Sequence, residues 1–514
     1  MWLPDPATVL GMRYDAVVIG AGHNGLTCAA YLARAGRSVL VLERAEVVGG
    51  ATRSAAVFPG YAARLSAYSY LVSLLPAQIR DELGLDLTLH RRRYSSYTPH
   101  GAHGILIDDG DPARTAADLG TDAGAWKDFS DLTGHVARQV FPTMLEPLRS
   151  AGEMAGRVGD QAWSEMFERP LSETLERRFA RDVVRGIAAT DALIGTFTDL
   201  RDSARLANRC LLYHVIGGGT GHWDVPVGGM GQVSDALLEA ATAAGAQVHC
   251  ASEVVSLETD GDLARVRTAD GCVVESDAVF VAAAPAVLDR LRRRPGTEPS
   301  PEGAQLKINL LLSRLPSLKD PRTTAEQAFS GTFHINEGYA ALQRAYAQAD
   351  AGQIPAVPPC EVYCHSLSDP SILGEELQAQ GAHTMTLFGL HMPARLFAAD
   401  PDGARARATE ATLASVDSVL DEPLTDCLLA AETLEVRTPL DVEASLGMPR
   451  GHIFHRDLQW PFAESAGEVG AWGVETADAN VYLCGAGARR GGGVSGIPGR
   501  NAAAAHLGED ALVT

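Results

Sequence analysis

Basic residues are scarce. The chain sets 43 Lys and Arg against 64 Asp and Glu, a formal net charge of −21. Neutralising phosphates takes clustered cations, so nucleic-acid binding is excluded. The same sign disfavours electrostatic docking on anionic lipid. No C-x-x-C occurs among the eight cysteines, Cys28, Cys210, Cys250, Cys272, Cys360, Cys364, Cys427 and Cys484. Cys360 and Cys364 form a C-x-x-x-C, a spacing that suits neither a dithiol redox centre nor a zinc site. A reducing compartment is expected, and no metal-ligand set is readable. No run reaches the roughly 20 apolar residues of a membrane span, and the N-terminus lacks the basic stretch of a signal peptide. Residues 1–11 read as a polar preamble before Met12, the expected natural start. These absences predict a cytoplasmic protein. What remains is 514 residues, 46% hydrophobic and 21% charged, enough for two cores.

The richest stretch is YDAVVIGAGHNGLTCAAYLARAGRSVLVLERAEVVGGATRS, residues 14–54. A β-branched run ends in glycine; a helical pattern with Leu26, Ala29, Ala30 and Leu32 follows and stops at Gly36; a second apolar strand closes in Glu43. Strand, turn and helix give meaning to the G-x-G-x-x-G of Gly20, Gly22 and Gly25. Gly20 makes the tight turn, Gly22 admits a pyrophosphate without a Cβ clash, and Gly25 lets helix pack on strand. The helix N-terminus, with Asn24 in its first turn, then offers N–H groups and positive dipole to the phosphates. Glu43 is placed to accept from both ribose hydroxyls and to repel a 2′-phosphate, which argues against NADP. Past Arg44 comes a second glycine pair, Gly49 and Gly50, then Ala51. NAD gives no reason for that pair. A long FAD does, because its pyrophosphate and ribityl chain must thread past this loop.

With these motifs the chain resembles the FAD-dependent carotenoid and retinoid oxidoreductases, the phytoene desaturase-like branch of the amine oxidase superfamily. FPGYAARLSAYSYLVSLLPAQI (58–79), RRRYSSYTP (91–99), HWDVPVGGMGQVSDALLEAATAAGAQV (222–248), KINLLLSRLP from Lys307 and GHIFHRDL from Gly451 are similar to landmarks of that branch. The resemblance implies that the Val254 backbone touches the adenine. It also implies that NVYLCGAGARRGGGVSGIPGRNAAAA (480–505) supplies Gly485, Gly493 and Val494 to the flavin, with a helix from near Val494 pointing at the isoalloxazine. Two departures fall on the substrate side: Arg489 and Arg490 stand where the branch has His-Pro, and the Arg-Pro after IFH is missing.

The expected fold is α/β: a discontinuous Rossmann-like FAD-binding domain of the glutathione reductase/amine oxidase type, built from 12–70, 225–290 and 476–514. A mixed-sheet and helical substrate domain takes 71–224 and 291–475. Residues 112–210 read as mostly helical, 303–395 as strands, and 292–303 as a loop.

One fingerprint leaves no second NAD(P)H domain. The expected reaction is dehydrogenation, desaturation or redox-neutral isomerisation of a small lipophilic, carotenoid- or isoprenoid-like substrate, by hydride transfer to flavin N5, with O₂ or a quinone as acceptor. His455 is the first candidate pocket acid or base, although a histidine that satisfies a neighbouring backbone carbonyl is the commoner case. Trp223 reads as a pocket wall or as core. Arg489 and Arg490 read as anchors for a substrate carboxylate or the cofactor, or as an ion-paired loop. Residues 136–156 read as an apolar mouth allowing peripheral membrane contact, or as core. Two alternatives stand beside this reading. A flavin amine oxidase would need an aromatic cage, which 6% aromatic residues do not reveal, and a lysine near N5, for which Lys307 is the candidate. A non-catalytic FAD-binding interaction protein would keep the fold without turnover.

Overall fold

The computed structural model describes residues 13–296 and 301–512. The preamble 1–11, Met12, and residues 297–300 of the expected 292–303 loop lie outside them.

Alternating side chains explain the first sheet. In the strand Arg13–Ile19, Ala16 and Val18 face one core, with Leu26 and Phe280, while Val17 and Ile19 face another, with Leu257 and Val279. This burial of both faces is why the strand reads as one apolar run rather than an alternation. Its neighbours are parallel, Val39–Leu42 on one side and Val273–Val281 on the other. Gln247–His249 extends the sheet beyond Val39–Leu42, and Val481–Leu483 adds in parallel to Val273–Val281. The meander Val254–Thr259, Ala264–Thr268 and Val273–Val281 is antiparallel. The helix His23–Arg34 is buried from Asn24 to Ala33, enclosed by the helices Gly231–Ala243 and Ile497–Leu507.

A second seven-stranded sheet is almost wholly antiparallel. Its order is Leu434–Arg437, Leu306–Leu312, His383–Gly389, Cys360–Tyr363, Thr332–Ile335, Tyr94–Thr98 and Ile105–Asp108. Along Leu306–Leu312 the even-numbered residues Leu306, Ile308, Leu310 and Leu312 fill a core of their own. Lys307 and Asn309 therefore point to the opposite face. Helices Pro112–Leu119, Ala123–Val140, Ala151–Val158, Leu171–Arg178, Asp182–Thr190 and Leu206–Val215 form the cap.

Two local expectations need correction. The C-terminal helix begins at Ile497, not near Val494, because Gly493 and Gly496 both take φ 71°, a left-handed conformation that a helix cannot pass through. Pro498 then fits the first turn, where its missing N–H is no loss. Within 136–156, Val136, Ala137, Val140, Met144 and Met154 are core, so their apolar faces do not form a mouth. No helix among the described residues is long and apolar enough to cross a membrane.

Candidate active site

A cavity of about 620 Å³ runs from the first glycine turn, between the two sheets, to the helical cap. Its nucleotide end is built by close backbone approach. Gly20 has φ 100°, and its N–H donates to the Leu42 carbonyl at 2.8 Å, which ties the turn to the second strand. A Cβ on Gly25 would lie 2.1 Å from the Gly20 oxygen. One on Gly22 would meet no protein atom within 4 Å, although Gly22 lines the cavity. Gly22 also begins the helix His23–Arg34 with no side-chain cap, so the first N–H groups of that helix are left for a ligand.

Glu43 closes the second strand with its carboxylate fixed: Oε2 accepts from Ala21 N–H at 2.7 Å and Oε1 from Ala45 N–H at 2.8 Å. Each oxygen keeps a lone pair for a ribose hydroxyl. The second glycine pair docks on the first motif. Gly49 N–H donates to the Ala21 carbonyl at 2.8 Å, and a Cβ on Gly50 would sit 3.4 Å from Gly22 Cα. Gly50, Ala51, Arg44 and Val254 line the cavity, whereas Gly49 lies just behind its wall. Gly485 is also behind it, so close to the Ala282 backbone that a Cβ would come within 2.4 Å of that carbonyl oxygen. Gly493 and Val494 are on the wall.

Asn24 lines the cavity too, but its Oδ1 accepts from Gly496 N–H at 3.0 Å, pinning the C-terminal helix to the nucleotide helix. Next to it, His23 Nε2 lies 3.3 Å from the Gly493 carbonyl, and burial pushes its pKa down to about 4. The imidazole is neutral at pH 7, and Nε2–H is the donor. Arg53 is a residue that motif reading missed. It lines the cavity with a buried, unpartnered Nε, and its signal was its place in GGATRS, three positions past Gly50. Uncapped helix, empty space at Gly22, fixed carboxylate and spare guanidinium together fit an extended dinucleotide.

The far end is aromatic. Tyr70 and Tyr363 line it with centroids 4.2 Å apart, Tyr68 lines it as well, and Phe388 stands behind, 4.8 Å from Tyr70. Trp223 is a wall, its Nε1–H donating to the His214 carbonyl at 3.0 Å and its ring stacked on His214. Leu71, Ile187, Ile194, Val215, Ile453 and Phe454 complete an apolar surround.

His455 reaches the cavity from a φ of 65°, with Nδ1 buried and unpartnered; burial holds its pKa down at about 4. It is a neutral imidazole with a free ring nitrogen. The structure gives Arg489 and Arg490 a different task from substrate binding. Neither lines the cavity. Arg489 donates to the Trp460 and Phe462 carbonyls at 3.1 and 3.0 Å and pairs with Glu464 and Glu468, while Arg490 donates to the Thr143 and Met144 carbonyls at 3.1 and 3.0 Å. Both stitch loops together from inside the protein. Lys307 also stays off the wall: Nζ donates to the Ser66 and Ala67 carbonyls at 2.7 and 3.2 Å, and burial pushes its pKa down to about 7.

Fold and cavity define an FAD-dependent oxidoreductase. The flavin-containing amine oxidoreductase family matches residues 25–415, and the chain belongs to it. An uncharacterized protein of Mycobacterium tuberculosis is 44% identical over 521 residues, covering 96% of this chain and 97% of its own. The Pyridine nucleotide-disulfide oxidoreductase domain-containing protein 2 of Rattus norvegicus is 31% identical over 564 residues, 96% of this chain and 93% of its own. No disulfide joins any of the eight cysteines here. Among solved structures, putrescine oxidase with putrescine bound shares the fold at a TM-score of 0.59 and 19% identity, over 97% of this chain and 99% of its own.

Proposed function

We propose that the protein dehydrogenates or desaturates a lipophilic substrate of the carotenoid or isoprenoid kind, in the manner of the phytoene desaturase-like branch. The observation that carries this reading is the continuity of one cavity from the dinucleotide turn into an apolar, aromatic chamber. Bound FAD supplies the hydride acceptor, and O₂ or a quinone removes the two electrons afterwards. The chain contributes position and dryness. Ile187, Ile194, Val215 and Phe454 exclude water, and the Tyr70–Tyr363 wall orients an extended apolar chain beside the ring system. His455, a residue of the cavity wall whose Nδ1 has no protein partner, is the candidate to take or return a proton.

A second reading, a flavin amine oxidase, is favoured by that same aromatic wall, which is the kind of surface that receives an amine. It lacks its lysine, since Lys307 points at backbone carbonyls. Anaerobic mixing separates the two. Flavin absorbance bleached by an apolar lipid fraction, and not by mono- or diamines, is the expected outcome. Bleaching by amines alone would reverse the order, and a flavin inert to both would leave a binding role.

A further inference from the structure

The run Arg91-Arg92-Arg93 leads into the second sheet, and its three guanidiniums have three fates. Arg91 Nε donates to Asp224 at 2.7 Å, and Arg93 grips Asp108 through Nε and Nη2, both at 3.0 Å. Arg92, between them, lines the cavity, as does the Asp224-paired Arg91. Among the described residues its one side-chain hydrogen bond runs from Nη1 to Thr332 Oγ1 at 3.2 Å, and its Nε is buried without a partner. Among the described residues no carboxylate pairs with it. The nearby acids form no ion pair with it: Glu361 Oε1 accepts from Tyr363 Oη at 3.2 Å and stands 3.3 Å from His334 Nε2, its Oε2 is buried without a partner, and both Glu361 and Asp191 act on Arg92 only at a distance. Burial lowers the guanidinium's pKa, yet an arginine does not shed its proton at neutral pH.

A partly buried guanidinium with no carboxylate partner and a buried, unpartnered Nε is costly unless something completes it. A planar carboxylate does so best, by accepting two parallel N–H bonds. We propose that Arg92, assisted by Thr332, receives the carboxylate of an otherwise apolar substrate, so that the substrate class is a lipophilic acid. This deepens the lipophilic-substrate reading and rests on it. The anchoring role expected of Arg489 and Arg490 passes to Arg92, one of the arginines of the cavity wall, whose charge is felt by Tyr70 and Tyr363.

The test is equilibrium binding to the FAD-loaded protein, read by flavin absorbance perturbation and by calorimetry, with decanoate, decanol and decylamine as probes. Decanoate is expected to bind roughly tenfold to hundredfold more tightly than decanol. Arg92→Met is expected to abolish that preference while leaving decanol binding unchanged, and Arg92→Lys to keep part of it, because a point charge without the planar fork holds a carboxylate less well. Equal binding of decanoate and decanol by the unaltered protein overturns the anchor whether or not either variant folds. Tighter binding of decylamine also overturns it. If decanol binds and decanoate gains nothing, the anchor alone has failed; if none of the three apolar chains binds, the lipophilic reading falls with it.

Discussion

Gly22 and Gly25 lie three positions apart on one turn and lack side chains for different reasons. At Gly25 the obstacle is the protein itself, since a Cβ would come within 2.1 Å of the Gly20 oxygen and 3.0 Å of Ala282 Cβ. At Gly22 the protein offers no obstacle, and φ is an ordinary −73°. Only a ligand is in the way. Gly22→Val is therefore expected to fold, losing only about 1 kcal/mol, the cost of a β-branched residue at a helix N-cap, yet to purify without flavin. Gly25→Ala is expected to destabilise the FAD-free protein by about 2 kcal/mol or more, because backbone must move. Guanidinium melts of the flavin-stripped proteins and the flavin-to-protein absorbance ratio check both. A Gly22→Val protein that retained full FAD would mean that the pyrophosphate passes elsewhere. These two tasks were legible in sequence, since G-x-G-x-x-G between strand and helix is a local pattern. Arg92 was not, because the sequence of an Arg triplet does not say which member finds no acid.

At the scale of elements, local patterns again carried and distant pairings did not. The strand–turn–helix and the meander with its DGD and ADG turns follow from residues within ten positions of one another. The aromatic wall joins Tyr68 and Tyr70 to Tyr363 and Phe388, across a fold that no periodicity reports. The Arg489–Arg490 step misled for the same reason, as its carbonyl partners lie in segments 143–146 and 460–462. One cross-strand arrangement has a measurable consequence. His334 on Thr332–Ile335 stands opposite Glu361 on Cys360–Tyr363, with its Nδ1 2.9 Å from Glu337. Burial opposes charge on this imidazole, but Glu337 and Glu361 outweigh it and raise the pKa to about 10. A folded pKa above the unfolded value near 6.5 gives stability that is complete below pH 6.5 and disappears as pH rises through about 10. Glu337→Gln is expected to cost about 3 kcal/mol at pH 6, and the cost should shrink towards pH 10. Denaturant unfolding of both proteins with saturating FAD, at the two pH values, measures it. A difference that stays constant with pH would show that His334 is uncharged.

For the whole molecule, the cavity wall is the feature that ties distant chain segments into one unit. Gly22 and Glu43 come from the first sheet's crossover, Val254 from the meander, Val494 from the C-terminal turn, Tyr363 from the second sheet and Ile187 from the cap. A dinucleotide occupying one end touches the segments that close the first sheet and, through Asn24 and Gly496, the seat of the C-terminal helix. Arg500 of that helix pairs with Glu82 at 2.9 Å and reaches towards Leu145 of the cap. Binding energy at the turn is thereby spread over both halves. Adding FAD to the flavin-free protein should raise stability by about 4 kcal/mol at a thousandfold excess over its Kd. The rise should appear in one transition, followed alike on heating by pulsed hydrogen exchange of peptides from the cap helix Ala123–Val140 and from the first-sheet strand Arg13–Ile19. A melting temperature that climbs with FAD by one probe and stays fixed by the other would show that the cap melts independently, and that the cavity is a contact between two units rather than the joint that makes them one.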